Sequence, residues 1–75
     1  MQTIADLQKG EKAVILDFSV DSIPLKLIEM GCLPGNEIEL VQTTLFNGPL
    51  FLMINGSNIA IRKDTAAEIL IEKVL

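Results

Sequence analysis

Histidine, tryptophan and tyrosine are absent from this 75-residue chain, and cysteine occurs once. Without histidine there is no imidazole to act as acid, base or zinc ligand. One thiol can form neither an internal disulfide nor a metal cage. A lone cysteine suits a reducing compartment, so the expected localisation is cytoplasmic. Basic residues are also scarce, six against ten acidic ones for a net charge of −4. Phosphate neutralisation needs clustered lysine and arginine, so neither nucleic acid nor an anionic membrane is an expected partner. No apolar run approaches the roughly 20 residues that span a bilayer, and Met1 to Asp6 lacks the basic start and apolar stretch of a signal peptide. Direct membrane insertion is not expected. What is present is apolar: 49% hydrophobic residues against 21% charged ones places the chain among folded proteins, and its length allows one domain, residues 1–75.

Periodicity supplies the elements. Thr3 and Asp6 have the spacing of a capping box, followed by a helical turn that Gly10 would stop. Lys12 to Phe18 alternates, with Val14, Leu16 and Phe18 on one side and Ile15 and Asp17 on the other. Between Asp21 and Gly31 the period lengthens: Ile23, Leu27 and Met30 share a helical face, with Ser22 available as cap and Pro24 in the first turn. Pro34-Gly35 has the residues of a type II turn, and Asn36 to Gln42 follows as a strand with Glu37 and Glu39 opposite Ile38 and Leu40. Asn47-Gly48 signals a reversal, widened by Pro49, which cannot donate to a ladder. Leu50 to Ile54, the turn Asn55-Gly56 and Ile59 to Ile61 read as a hairpin. A helical turn through Glu68 and a strand from Ile69 to Val74 end the chain. This is a mainly β pattern of about five strands, with one short helix between the first and second. A small SH3-like barrel is the expected architecture, because a curled sheet removes edges; an OB-like barrel has the same strand count.

The chemistry-bearing residues form no catalytic set. Cys32 has no histidine to activate it and reads as a small packing residue. Glu37 and Glu39, with Asp17, Asp21 or Glu29, are too few to complete the roughly six-oxygen shell of a hard cation and read as a solvated face. No glycine-rich phosphate loop or nucleophile accompanies them, so neither enzyme activity, GTP binding nor a bound cofactor is expected. The stretch from Leu50 to Ile54 stands apart, being apolar at five successive positions. One alternating set must face away from the core, where either a helix covers it or a partner does. Phe46 sits on a polar turn five residues from Phe51, and the residues expected to form a docking face are Leu45, Phe46, Phe51 and Met53. Gly31, Pro34, Gly35, Asn55 and Gly56 are the expected structural turn positions.

The order of these signals resembles a known family. Leu7 and Gly10 are followed by Leu27-Ile28-Glu29-Met30-Gly31 and Gly35, similar to the Leu-x-x-Met-Gly-x-x-x-Gly signature of FeoA proteins. Gly48-Pro49 and Gly56 follow, then Ile61-Arg62, Ala66, Ile69 and Ile71, similar to that family's closing Leu-Arg-x-x-x-Ala-x-x-Ile-x-Val pattern. Two departures stand out. Leu45-Phe46-Asn47-Gly48-Pro49 replaces the frequent Pro-x-Gly-Asp-Pro, and Thr65 stands where glutamate is common. The resemblance implies a cytosolic accessory of ferrous iron uptake that acts by contact with the cytosolic part of the FeoB transporter and GTPase, with homo-oligomers possible. The alternative it implies is a detached regulatory domain like the C-terminal domain of metal-dependent repressors, which self-associates or binds a transition metal. No residue here matches a soft or imidazole ligand set for such a metal.

Overall fold

Alternation decides which side of each strand turns inward. In the computed structural model, which describes residues 2–74, β1 (Gln2–Thr3) leads through a 3-10 turn (Ile4–Asp6) to β2 (Lys12–Asp17). A second 3-10 turn (Val20–Ser22) and α1 (Leu25–Glu29) precede β3 (Glu37–Gln42), β4 (Leu50–Ile54) and β5 (Ser57–Ile61). The chain then forms α2 (Lys63–Ala66) and β6 (Leu70–Lys73). Ala13 and Ile15 of β2, Ile38 and Leu40 of β3, Leu50, Leu52 and Ile54 of β4, and Ile59 and Ile61 of β5 are buried in one core with Ile4, Leu27, Cys32, Ala66, Ile69 and Ile71. On β2 it is the side bearing Ile15 that faces inward, and Leu16 is exposed.

The strands make one antiparallel sheet in the order β1-β6-β2-β3-β4-β5. Six strands replace the expected five or so, because Gln2 and Thr3 pair with Ile71 and Leu70. Two residues carry no alternation, so this strand exists only through its partner. Irregularities between Ile15 and Asp17 and between Leu40 and Gln42 add twist. The hydrogen-bonded ladder does not close into the expected barrel: β1 and β5 remain edges. The small β-rich SH3-like arrangement is otherwise as expected.

Two local expectations change. The helix is shorter than Asp21 to Gly31, and its N-cap is Pro24 in place of Ser22. A residue before proline is driven out of the helical region, and Ile23 is extended (φ −115°, ψ 128°), so no helix can run through it. Gly10 (φ +88°) does not end the first helical turn, whose C-cap is the extended Leu7. It belongs instead to the turn in which Glu11 N–H donates to the Gln8 carbonyl (2.9 Å), and its own N–H donates to Leu40 (2.7 Å). The Thr3 and Asp6 pairing is present, with Thr3 N–H donating to the Asp6 carboxylate at 2.8 Å.

The α1 exit is closely specified. Cys32 N–H donates to the Leu27 carbonyl (3.0 Å) and Gly31 N–H to Ile28 (3.1 Å), the paired bonds of a Schellman motif, with Gly31 at φ +104°. Buried Cys32 and Leu27 supply its apolar contact. Asn36 Nδ2 donates to the Gly31 carbonyl at 2.7 Å. Gly35 N–H donates to Ile15 (2.8 Å), which fastens the Pro34-Gly35 turn to β2.

Glu11 ties the entry of β2 to β6. Its carboxylate accepts from Gln8 N–H at 2.6 Å and lies 3.3 Å from Lys73 Nζ. The Gln8 backbone hydrogen bond foremost holds its pKa below the ordinary 4.5; desolvation opposes it, and Lys73 adds smaller lowering contributions through its hydrogen bond and its charge. A lowered folded-state value means that stability is present above the ordinary value and is lost as pH falls through the lowered one. Glu11→Gln is therefore expected to melt earlier than the parent at neutral pH, and the gap should close as the solution is acidified below the ordinary carboxylate value. Thermal melts over a pH series check this; a gap that persists in acid would show that charge is not the cause.

Candidate functional site

The segment between β3 and β4 reverses on two non-glycine residues in the left-handed region, Phe46 (φ +59°) and Asn47 (φ +60°), with Gly48 N–H donating to the Leu45 carbonyl at 3.2 Å. Positive φ at both central positions makes this a type I′ reversal. It is centred one residue earlier than the Asn47-Gly48 signal suggests. Thr44 Oγ1 bonds the Pro49 carbonyl at 2.9 Å and closes the base of the loop. Asparagine tolerates this conformation, whereas a bulky aromatic residue rarely adopts it. Phe46 does so with no packing in return: it is 98% exposed, and its neighbour Leu45 is 80% exposed.

On β4, burial separates the two sets that the apolar run left undecided. Leu50, Leu52 and Ile54 face the core, and Phe51 and Met53 face outward. Phe51 pairs across to Gln42 and Ala60, and remains 38% exposed; Met53 is half-buried between Glu39 and Asn58. Phe51 lies at the end of β4 that adjoins the loop, and Met53 two residues towards the far end. The outer face is thus apolar along β4, with the carboxylates of Glu37 and Glu39 on the same side of β3. Asn55 (φ +51°) and Gly56 (φ +78°) make the tight turn into β5 as expected.

Two concavities were not legible in the sequence. One, about 550 Å³, lies between Asn47-Gly48-Pro49 and Arg62-Lys63-Asp64. The other, about 460 Å³, runs between α1 and β5 and is lined by Pro24, Leu27, Met30, Ile59 and Ile61, with Lys26 and Arg62 among its polar residues. The available signal was the helical spacing of Leu27 and Met30 beside the alternation of Ile59 and Ile61, but nothing in the pattern says that these two elements adjoin.

No group of three or more cysteine or carboxylate side chains able to hold a metal ion occurs among the described residues. Cys32 is fully buried, and burial pushes its thiol pKa up, away from the thiolate that binds metals. The donors present do not fit a resident transition metal. Among the described residues no helix is long and apolar enough to cross a membrane.

The model of the FeoA domain family matches residues 2–73. Among solved structures, iron(II) transport protein A from Clostridium thermocellum is 37% identical with a TM-score of 0.86, over 97% of this chain and 46% of that one. FeoA from Stenotrophomonas maltophilia in complex with zinc, described as an SH3 domain protein, is 22% identical with a TM-score of 0.80, over 96% and 91% of the two chains. T. acidophilum IdeR is 23% identical with a TM-score of 0.80, over 97% of this chain and 34% of that one. No curated protein matches. With nearly its whole length matched by the family model, the chain belongs to the FeoA domain family.

Proposed function

We propose that this FeoA-family chain is a cytosolic accessory of ferrous iron uptake that docks on the cytosolic part of a FeoB-type transporter and acts without catalysing a reaction itself. The exposed Phe46 carries the reading, because a fully solvated aromatic residue on a strained backbone costs stability and returns none to the fold. Aromatic side chains are the common anchors of protein interfaces. Leu45 extends the anchor on the loop, and Phe51 and Met53 continue it on the outer face of β4. The similarity to an iron(II) transport protein supports ferrous iron as the cargo of the system served. Any influence on the transporter's GTP hydrolysis would be exerted by binding one of its conformations better than another.

The rival reading, a self-associating or metal-sensing regulatory domain, draws on the likeness to IdeR, which at this identity is a likeness of fold. One pair of titrations separates the two. The purified chain should bind the transporter's cytosolic part and should take up neither Fe(II) nor Mn(II) at micromolar concentration under reducing conditions. Tight uptake of either metal by the chain alone, with no association with the transporter, would favour the sensor.

A further inference from the structure

We infer that the groove between α1 and β5 receives an extended, acidic and apolar peptide segment, which adds to the sheet as a strand alongside β5. β5 is an edge of the sheet. The two-residue turn Asn55-Gly56 pairs Ile54 with Ser57, and the register continues Met53 with Asn58, Leu52 with Ile59 and Phe51 with Ala60. A two-residue hairpin closes on a hydrogen-bonded pair, and such pairs alternate with non-bonded ones. Asn58 and Ala60 therefore direct their N–H and C=O groups away from β4. Among the described residues neither bonds to another element.

Edge strands are usually blunted by an internal charge, a proline or a covering element. Ser57–Ile61 contains no charge and no proline, and Asn58 and Ala60 are exposed. Beside this free ladder lies the groove, with Pro24, Leu27 and Met30 across from Ile59 and Ile61. An added strand would place alternate side chains into that apolar channel, as strand-addition recognition requires.

Charge selects the occupant. The protein carries −4 overall and has six basic residues, yet the groove's lining includes Lys26 and Arg62 and no carboxylate. Lys63 follows Arg62 directly; Asp64 lies 3.5 Å from Arg62 Nε on a largely exposed surface, and Glu29 adjoins Met30 at the end of α1. Arg62 also lines the concavity beside the Phe46 loop. A segment leaving β5 past Arg62 thus runs towards the proposed anchor. The inference deepens the partner-docking reading by giving the form of the segment recognised.

The probe is a nine-residue acetylated, amidated peptide of alternating glutamate and valine. Amide spectra of the labelled protein are expected to shift at residues 57–62 and at Lys26 to Met30, with slowed hydrogen exchange at Asn58 and Ala60. N-methylating alternate peptide bonds, or replacing the glutamates with lysine, should weaken binding tenfold or more. Ala60→Pro removes an outward-facing donor from an edge position that tolerates proline and should also abolish binding; if that variant melts early, the N-methylated peptide carries the test. No binding at millimolar peptide, shifts confined to other surfaces, or equal binding by the N-methylated peptide would overturn the inference. Peptide binding is read from the amide shifts at residues 57–62, and transporter association from a separate titration against its cytosolic part. Peptide binding without transporter binding would therefore sink the transporter reading alone, and the converse would sink only the strand addition.

Discussion

Replacing Gly31 with valine is expected to be among the most damaging single changes in this chain, lowering stability by about 3 kcal/mol or more. Two costs coincide there. The backbone is at φ +104°, where a β-branched residue is strained by roughly 1–3 kcal/mol. A Cβ at Gly31 would also run into the Asn55 side-chain amide and come within 3.2 Å of Ile54 Cγ2. The amide could swing aside, but Ile54 is fully buried and cannot, which adds an overpacking cost of about 1–3 kcal/mol. At roughly 4–8 °C per kcal/mol for a domain of this size, Tm should fall by some 12–24 °C. Gly35 separates the two contributions. It has a similar φ of +93°, but nothing lies within 4 Å of its would-be Cβ. Gly35→Val should therefore show the backbone strain alone, about 1–3 kcal/mol. Urea midpoints of the two variants that fall together would mean that the Gly31 exit does not press against the Asn55 turn.

Phe46→Ser is expected to do the reverse, leaving the fold intact and weakening transporter association tenfold or more, about 1.4 kcal/mol. Almost none of this side chain is buried at 98% exposure, so its removal takes little from the core. Phe46→Gly sharpens the test. Glycine accepts φ +59° without penalty, so its melting point should equal or exceed the parent's while binding is lost. A better fold with a worse interaction is the expected signature of a residue retained for contact. The paired measurement is a melting curve with a titration against the transporter's cytosolic part. A marked loss of stability in both variants would return Phe46 to a structural role, and undiminished association would remove it from the interface.

Turns and strand faces were the legible part of the site. Pro34-Gly35 and Asn55-Gly56 announce their geometry because positive φ is cheap only for a few residue types, and both turns form where those residues stand. The Phe46 loop was misplaced by one residue for the same reason: the rule points to Asn47-Gly48, whereas the chain puts Phe46 and Asn47 at the centre. Leu50 to Ile54 could not say which of its sets was buried, since five apolar residues in a row carry no alternation. Pairing with Ile38 and Leu40 on one side and Ile59 and Ile61 on the other drew Leu50, Leu52 and Ile54 inward and left Phe51 and Met53 outside.

By itself the sequence determined what depends on neighbours along the chain: the small β-rich class, the principal strands, the glycine turns and a residue inventory with no histidine. The tertiary structure alone decided what depends on residues far apart. β1 exists because Gln2 and Thr3 meet β6. The groove exists because α1 comes to rest beside the free edge of β5. The physical reason is the range of the interactions. Dihedral preferences and hydrophobic periodicity act within a few residues and are written locally, whereas edges, grooves and exposed anchors arise only when the sheet curls and leaves β5 without a neighbouring strand.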